Sequence, residues 1–453
     1  MFVPSFEGLF ERFEDDNIKR ELARIRPDDR LNKHLAPLLG LMRGEPLREM
    51  PEGDIQADLF LQQIGRVARM VNGDRKLAAG VTFPSVRIAG SCYDFLDQEC
   101  QAPWSIAKLL NFLTLVRIQP THHAAVVATM RDDGVSMLEF IAHYRALGFD
   151  HIFIFSNDNV DGTTEMLELL ARHGVITYID NQISENTSPQ RKAFEYSIHF
   201  MPQLRDYEWV LYVDSDEFLM PAEIYDFSIR KVIDSIHRLH PVDVPSAILY
   251  SWKWFGGHSF ERGEGMQLER FEYSRKSTQV KSLVRFSDVL TMRPLHFPIS
   301  KKKTFFVDST FERIEQIGQL NKLQPNYDGG QLNHYWHKSF KEFALKKRRG
   351  DKLQVSGGRR NDYKRGFEQF FLWNVPLEEQ YHTPCSQRVV LAVRSEVENL
   401  LGLPGVRATY DDIQMRFEGL LQPPDGTEAL QQIFEQYAAN YPRLGFPCRS
   451  AVE

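Results

Sequence analysis

The chain has 453 residues, 42% of them hydrophobic and 26% charged, which is enough to bury a sizeable core and excludes a disordered or fibrous chain. Lysine and arginine total 55 against 61 aspartates and glutamates, a net charge of −6 that gives no general reason to expect nucleic acid or an anionic membrane as partner. The charge is uneven: between Arg275 and Arg360 stand 19 basic and 7 acidic residues, a stretch suited to a phosphorylated ligand or to a solvated face.

Residues 1–121 are expected to form a mainly helical region, with helical spacing over residues 17–25 and 31–42. From residue 122 the texture changes. Residues 124–130 (AAVVATM), 151–156 (HIFIFS), 175–179 and 209–213 (WVLYV) read as buried strands. Between them, residues 137–147, 162–172 and 189–200 read as helices. Gly148 and Gly174 suit left-handed helix ends, Asp161 or Thr163 suits a cap, and Ser188-Pro189 is a cap followed by proline at the first helical position. Strands alternating with helices predict an α/β fold with right-handed crossovers, a mostly parallel sheet flanked by helices, and ligands beyond the carboxyl ends of the strands. Residues 226–239 predict a further helix, and 247–255, 281–286 and 291–296 predict strands with less regular connections. A basic helix from about residue 340, a Gly357-Gly358 loop and a mainly helical extension over residues 351–453 complete the chain.

Cys92, Cys100, Cys385 and Cys448 are too few for a disulfide scaffold and lack the paired spacing of zinc sites, which fits a reducing, cytoplasmic setting. The opening MFVPSFEGLFERFEDD lacks a basic segment followed by an apolar one, so no secretory signal is expected in it. No apolar run approaches the roughly 18 residues of a membrane span, and any membrane contact is expected to be peripheral.

The sharpest chemical feature is WVLYVDSDEF, where an apolar strand runs into Asp214, Asp216 and Glu217. Bunched carboxylates repel one another unless solvent or a cation compensates them. The segment therefore reads either as an acidic solvated turn, with burial ending where charge begins, or as a Mn²⁺ or Mg²⁺ site that bridges to diphosphate oxygens. Haloacid dehalogenase-like phosphatases share the Asp-x-Asp spacing, but Phe218 stands where their motif has Thr or Val, and their motif follows a first strand rather than a fourth.

The segment from residue 122 to about 350 resembles GT-A glycosyltransferases of the family 2-like type, including the family 92 group. The resemblance lies in ATMRDDGVSMLEFIAHYRALGFDHIFIFSNDNVDGT, LYVDSDEFL, WKWFG, KSLVRF and LNHYWHKSFKEFALKKRRG. One departure stands out: Met130-Arg131-Asp132-Asp133 occupies the place where related sequences often read Lys-Asn-Glu.

This resemblance implies that Asp214 and Asp216 hold a metal and a nucleotide diphosphate, with His334 of LNHY as a further ligand; His337 is an alternative, and packing is the ordinary role of either histidine. It places base or ribose contacts at Asn157, Asp158 and Asp161, which also suit an Asx-rich turn. Arg131 and Lys192 (or Arg191) are candidates for the base or phosphates, each also readable as a surface charge. Trp252, Trp254, Phe255 and Gly256 become an acceptor-side wall, whereas their residue types alone favour core packing. The run Lys346-Lys347-Arg348-Arg349 suits a loop that closes on a diphosphate or a solvated helical face.

The implied activity is a metal-dependent, hexosyltransferase-like transfer of sugar from a nucleotide diphosphate-sugar to a hydroxyl of a glycan, lipid-linked or other acceptor, with inversion. Inversion requires a carboxylate base, for which Glu217, Glu261, Glu264 and Glu272 are positional candidates. The alternatives are a metal-dependent phosphohydrolase and a non-catalytic carbohydrate-binding or scaffold protein. Signatures of P-loop, dinucleotide-binding, zinc-protease and serine-hydrolase sites are missing, as are nucleic-acid-binding modules, and no nucleic-acid partner is expected.

Overall fold

The computed structural model describes residues 86–88, 120–181, 188–292, 296–300, 305–314, 324–348, 363–372, 374, 376, 379, 381–421 and 427–444. The N-terminal helices expected over 17–25 and 31–42, and the Gly357-Gly358 loop, lie outside the described residues.

The expected βα series is present. After an edge strand β1 (Val86–Ile88), the chain runs β2 (His122–Met130), α1 (Gly134–Ala146), β3 (His151–Ser156), α2 (Thr163–Arg172), β4 (Thr177–Asn181), α3 (Pro189–Phe200) and β5 (Tyr207–Asp214). These strands pair in parallel in the order β1-β4-β3-β2-β5. The side chains of β2, β3, β4 and β5 are mostly buried on both faces, as a parallel sheet covered by helices requires. Gly148 (φ +87°) and Gly174 (φ +72°) adopt the left-handed backbone that follows α1 and α2, and the Ser188 hydroxyl accepts from the Arg191 N–H to open α3.

The chain moves from β2 outward to β4 and then returns through α3 to set β5 on the other side of β2. That reversal opens a crevice beyond the carboxyl ends of β2 and β5, at Met130–Asp133 and Asp214–Asp216.

The second half is mixed, as its irregular connections predict. It runs β6 (Glu217–Pro221), α4 (Ile229–Leu239), β7 (Ala247–Phe255), β8 (Tyr273–Arg285), β9 (Val289–Met292), β10 (Pro298–Ser300), β11 (Phe306–Asp308), β12 (Arg313–Ile314) and β13 (Gly330–His334). Strand β8 lies antiparallel between β5 and β7, while β13 pairs parallel with β7 and antiparallel with β6. Helix α4 begins at Ile229 rather than 226 because Asp226 and Phe227 both take left-handed φ values, 56° and 54°. The strand expected over 291–296 ends at Met292, where it pairs with β10 instead of the main sheet.

Helices α5 (Phe340–Arg348), α6 (Tyr363–Leu372), α7 (Gln387–Leu401), α8 (Val406–Leu421) and α9 (Thr427–Asn440) follow, with a short strand β14 (Tyr381–His382) on the β8 edge. Helices α7 and α8 pack on α1, and α8 also reaches α2 and α5. Phe340, Phe343, Phe367, Phe370, Phe371 and Phe434 form a second core that joins α5, α6 and α9.

Beyond β7 the backbone of Gly257 passes under that of Lys338, and a Cβ placed on Gly257 would stand 1.4 Å from the Lys338 carbonyl oxygen. Only glycine fits this crossing, which fixes the turn carrying Trp336 and His337. Gly257→Ala is expected to lower the unfolding free energy by about 3 kcal/mol, read as a lower denaturation midpoint; an unchanged midpoint would show that the two segments do not cross as described.

Candidate active site

The crevice at the sheet reversal is a cavity of about 400 Å³ lined by residues from the ends of β2, β3, β5 and β13, from the starts of α1 and α3, and from α5 and α8. Its polar wall gathers Thr129, Arg131, Asp132, Asp133, Asn157, Gln190, Asp214, Ser215, Asp216 and His334.

Asp214 ends β5 beside Thr129 of β2, and this register brings the Thr129 hydroxyl to its Oδ1 at 3.3 Å. The Gln190 amide donates to the same oxygen, and Lys281 Nζ lies 3.2 Å from Oδ2. Lys281 stands in the middle of β8, is only 1% exposed, and is also 3.2 Å from Glu217 Oε2. That glutamate oxygen accepts the Asp214 backbone N–H at 2.8 Å.

The expectation that burial ends with the strand is therefore corrected: Asp216 and Glu217 are both buried, because a lysine enters from the neighbouring strand and β6 continues the sheet. Burial pushes the Glu217 carboxyl up to about 8 while Lys281 opposes it. Burial alone would depress Lys281, yet Asp214 and Glu217 hold its ammonium above the usual lysine range.

Asp216 is compensated differently. Its Oδ2 accepts from Lys346 Nζ at 2.6 Å, and His334 Nε2 lies 3.5 Å from Oδ1. Burial would raise this carboxyl, but the Lys346 ammonium and His334 hold it well below the usual carboxylate range. Lys346 reaches in from α5 with its side chain 42% exposed, whereas Asp216 is 7% exposed. His334 ends β13 with its Nδ1 buried and without a hydrogen-bond partner. Among the described residues no group of three His, Cys, Asp or Glu side chains is placed to hold a metal ion.

The loops beyond β2 and β3 are tied together. Asp132, at a left-handed φ of 50°, accepts the Val160 N–H at 2.6 Å, and its own N–H donates to Asn159 Oδ1 at 2.8 Å. Asp133 stands immediately before α1 in the cavity wall without a side-chain capping bond, and its carboxylate accepts from the Ser215 hydroxyl at 2.6 Å. Asp161 is fully buried behind the wall, where its carboxylate accepts from the N–H groups of Gly134 and Thr163.

Of the residues singled out in the sequence, Arg131, Asn157, Asp214, Asp216, His334 and His337 line the cavity together. Asp158, Asp161 and Lys192 do not line it, and Gln190, two residues before Lys192 on α3, does. Trp252, Trp254, Phe255 and Gly256 also lie off the lining. The Trp252 and Trp254 rings pack against His334 at 4.4 and 4.7 Å, and Phe255 packs on Tyr335. None of Glu217, Glu261, Glu264 and Glu272 reaches the lining. Glu342 does, but its carboxylate is engaged by Arg270 and the Ser339 N–H; burial opposes its ionisation, and Arg270 leads the contacts that bring it down to about 2. Of the basic run, Lys346 touches Asp216 and Lys347 lies over Trp336 and Phe343, while Arg349 lies outside the described residues.

A parallel sheet that reverses beside a strand ending in Asp-x-Asp, with a nucleotide-sized cavity at that point, is the architecture of a GT-A-like glycosyltransferase. The chain belongs to glycosyltransferase family 92, whose model matches residues 127–356. No curated protein matches it. Among solved structures, it is similar to residues 1–349 of S. aureus TarS at 12% identity and a TM-score of 0.25, over 66% of this chain and 90% of that one. The same fragment in complex with UDP matches at 11% identity and a TM-score of 0.24, over 65% and 91% of the two chains. No helix among the described residues is long and apolar enough to cross a membrane.

Removing one partner of a buried ion pair leaves the other charge uncompensated. Lys281→Met is expected to cost about 3–5 kcal/mol of stability, and adding Glu217→Gln to that variant should recover part of the loss. Chemical denaturation of the single and double variants reads this directly; equal loss in both would remove Lys281 as the compensating cation.

Proposed function

We propose that this family 92 glycosyltransferase takes its sugar from a nucleotide diphosphate-sugar, that Asp214, Asp216 and His334 hold the diphosphate together with a divalent cation, and that transfer inverts the anomeric carbon. The observation that carries this reading is the convergence of two carboxylates and an imidazole at the carboxyl end of β5, inside a cavity with cationic Lys346 on its wall.

The residue types suit the cation, although Asp214, Asp216 and His334 do not by themselves form a three-residue metal site. Carboxylate oxygens with one imidazole nitrogen suit Mn²⁺, and Mg²⁺ through the carboxylates, while the partnerless buried Nδ1 leaves His334 with unused ligand capacity. Any coordination by Asp214, Asp216 or His334 would therefore have to be completed by diphosphate oxygens and water, as is usual for such ions. When bound, the cation neutralises negative charge on the leaving diphosphate.

The chain's own residues do the rest. Lys346 adds positive charge beside the diphosphate, and Gln190 and Thr129 fix Asp214 through its Oδ1. Arg131 and Asn157, at the ends of β2 and β3, offer donors and an acceptor to the nucleoside. The acceptor hydroxyl oxygen forms its bond to the anomeric carbon as the bond to the diphosphate oxygen breaks. The nucleoside diphosphate departs with that electron pair, and the hydroxyl proton passes to a carboxylate base.

Calorimetric titration with UDP and GDP, with and without Mn²⁺, is the direct test. The wild type is expected to bind one of them at least about tenfold more tightly with the cation, and Asp216→Ala to lose that gain while still unfolding cooperatively. Affinity that is indifferent to Mn²⁺, or retained in Asp216→Ala, would remove the metal assignment. Phosphate release from a simple monoester without any sugar nucleotide would favour a phosphohydrolase instead.

A further inference from the structure

We infer that helix α8 of the C-terminal extension forms the wall against which the donor's nucleobase lies, and that Phe417 is a specificity-determining residue there. The inference rests on the nucleotide-donor reading above. It concerns a part of the chain that lies beyond the family-matched segment, which ends at residue 356.

Phe417 lines the same cavity as Asp214, Asp216 and His334 and is 2% exposed. It packs with Val135, Leu345 and Leu421 in a small apolar cluster that bridges α1, α5 and α8. Val135 belongs to the first turn of α1, directly after the loop that carries Arg131, Asp132 and Asp133. The edge of an aromatic ring thus reaches the same cavity as the hydrogen-bonding groups Arg131, Asp132 and Asn157 at the ends of the nucleotide-side strands. A diphosphate presents no apolar face, whereas a nucleobase presents a flat one that stacks on aromatic side chains.

The seat of α8 is specified by glycines rather than by chance contact. A Cβ on Gly134 would stand 2.9 Å from Ile413 Cγ2, and one on Gly162 would stand 2.7 Å from Ile413 Cγ1. Both glycines sit at helix starts on the cavity end of the sheet, at α1 and α2. Ile413 precedes Phe417 by four residues and so projects from the same face of α8. Bare backbone at Gly134 and Gly162 lets Ile413 approach closely, which carries Phe417 to the cavity one turn further on. Arg416 reaches from α8 to Glu165 of α2 at 3.1 Å and is braced within its own helix by Asp412 at 2.8 Å. The guanidinium of Arg262 lies 5.4 Å from the Phe417 ring centre, which fixes the ring from another segment.

The test is calorimetric titration of the full chain with UDP, GDP and pyrophosphate in Mn²⁺ buffer, comparing wild type with Phe417→Leu, Phe417→Ala and Leu421→Ala. Phe417→Leu keeps apolar volume and guards against simple unfolding, and Leu421→Ala thins the same cluster at a residue off the cavity wall. Both Phe417 variants are expected to weaken the preferred nucleotide by about fivefold or more, or to change the UDP-to-GDP preference, while pyrophosphate affinity holds. Leu421→Ala is expected to lower the melting temperature and leave all three affinities in place. Nucleotide and pyrophosphate affinities falling together, a Phe417→Leu protein that binds like wild type, or an equal loss in Leu421→Ala would each overturn the inference. Wild-type protein that bound pyrophosphate but neither nucleotide would overturn the donor reading, and this one with it.

Discussion

Three carboxylates within four residues, Asp214, Asp216 and Glu217, close the central strand, and much of the surrounding fold serves to compensate that charge away from bulk water. Glu217 is fully buried and Asp216 nearly so. A carboxyl in such a place either keeps its proton, as burial favours for Glu217, or ionises only when paired and hydrogen-bonded, as Asp216 is. The sheet meets the demand from inside by running β8 antiparallel between β5 and β7, which carries Lys281 into contact with Asp214 and Glu217. Helix α5 meets it from outside with Lys346, and that helix is held by the phenylalanine core it shares with α6 and α9. Sheet mixing and C-terminal packing are therefore tied to the same acidic cluster.

The parallel half of the sheet and its crevice were legible because each strand is a compact apolar run and each helix is punctuated by a cap or a glycine. The Asp-x-Asp motif was legible for the same reason, as an abrupt end to the apolar WVLYV. Its environment was not. Glu217 read as the start of a solvated turn because the strand that buries it, Glu217–Pro221, is five residues long and finds its partner, Gly330–His334, more than a hundred residues away. Lys281 carried a signal that went unused: it is the one charged residue in the apolar part of β8, VKSLV, where alternation puts it on an inner face. The aromatic run WKWF was ambiguous from residue types alone, since stacking on a sugar and packing behind a histidine call for the same side chains. In the fold both Trp252 and Trp254 pack against His334, a contact that residue types alone do not reveal.

Gly134 and Gly162 are a case where local and tertiary demands coincide. Gly162, with φ of 99°, is required by its own backbone at the start of α2. Gly134 opens α1 beside Asp161, whose carboxylate accepts the Gly134 N–H. The second effect of the two glycines, the space that admits Ile413, depends on a helix some 250 residues away in the chain and has no local trace. A boundary drawn at the end of the recognisable family segment would thus divide the cavity wall, because Val135 and Phe417 come from opposite sides of it.

The two lysines differ in what solvent permits. Lys281 is 1% exposed between two carboxylates, so moving it would strand both it and its partners in a medium of low polarity. Lys346 is 42% exposed at the end of a helix, where water can take over solvation of its ammonium at modest cost. Asp214 is consequently held by an interaction that cannot be exchanged without disturbing the sheet, while the contact between Asp216 and Lys346 can be exchanged. A ligand that brings its own negative charge into the cavity meets one fixed carboxylate and one whose counter-charge is free to turn toward it. This asymmetry follows from where the two lysines stand, one on an interior strand and one on a peripheral helix, and the Asp-x-Asp spacing by itself carries no trace of it.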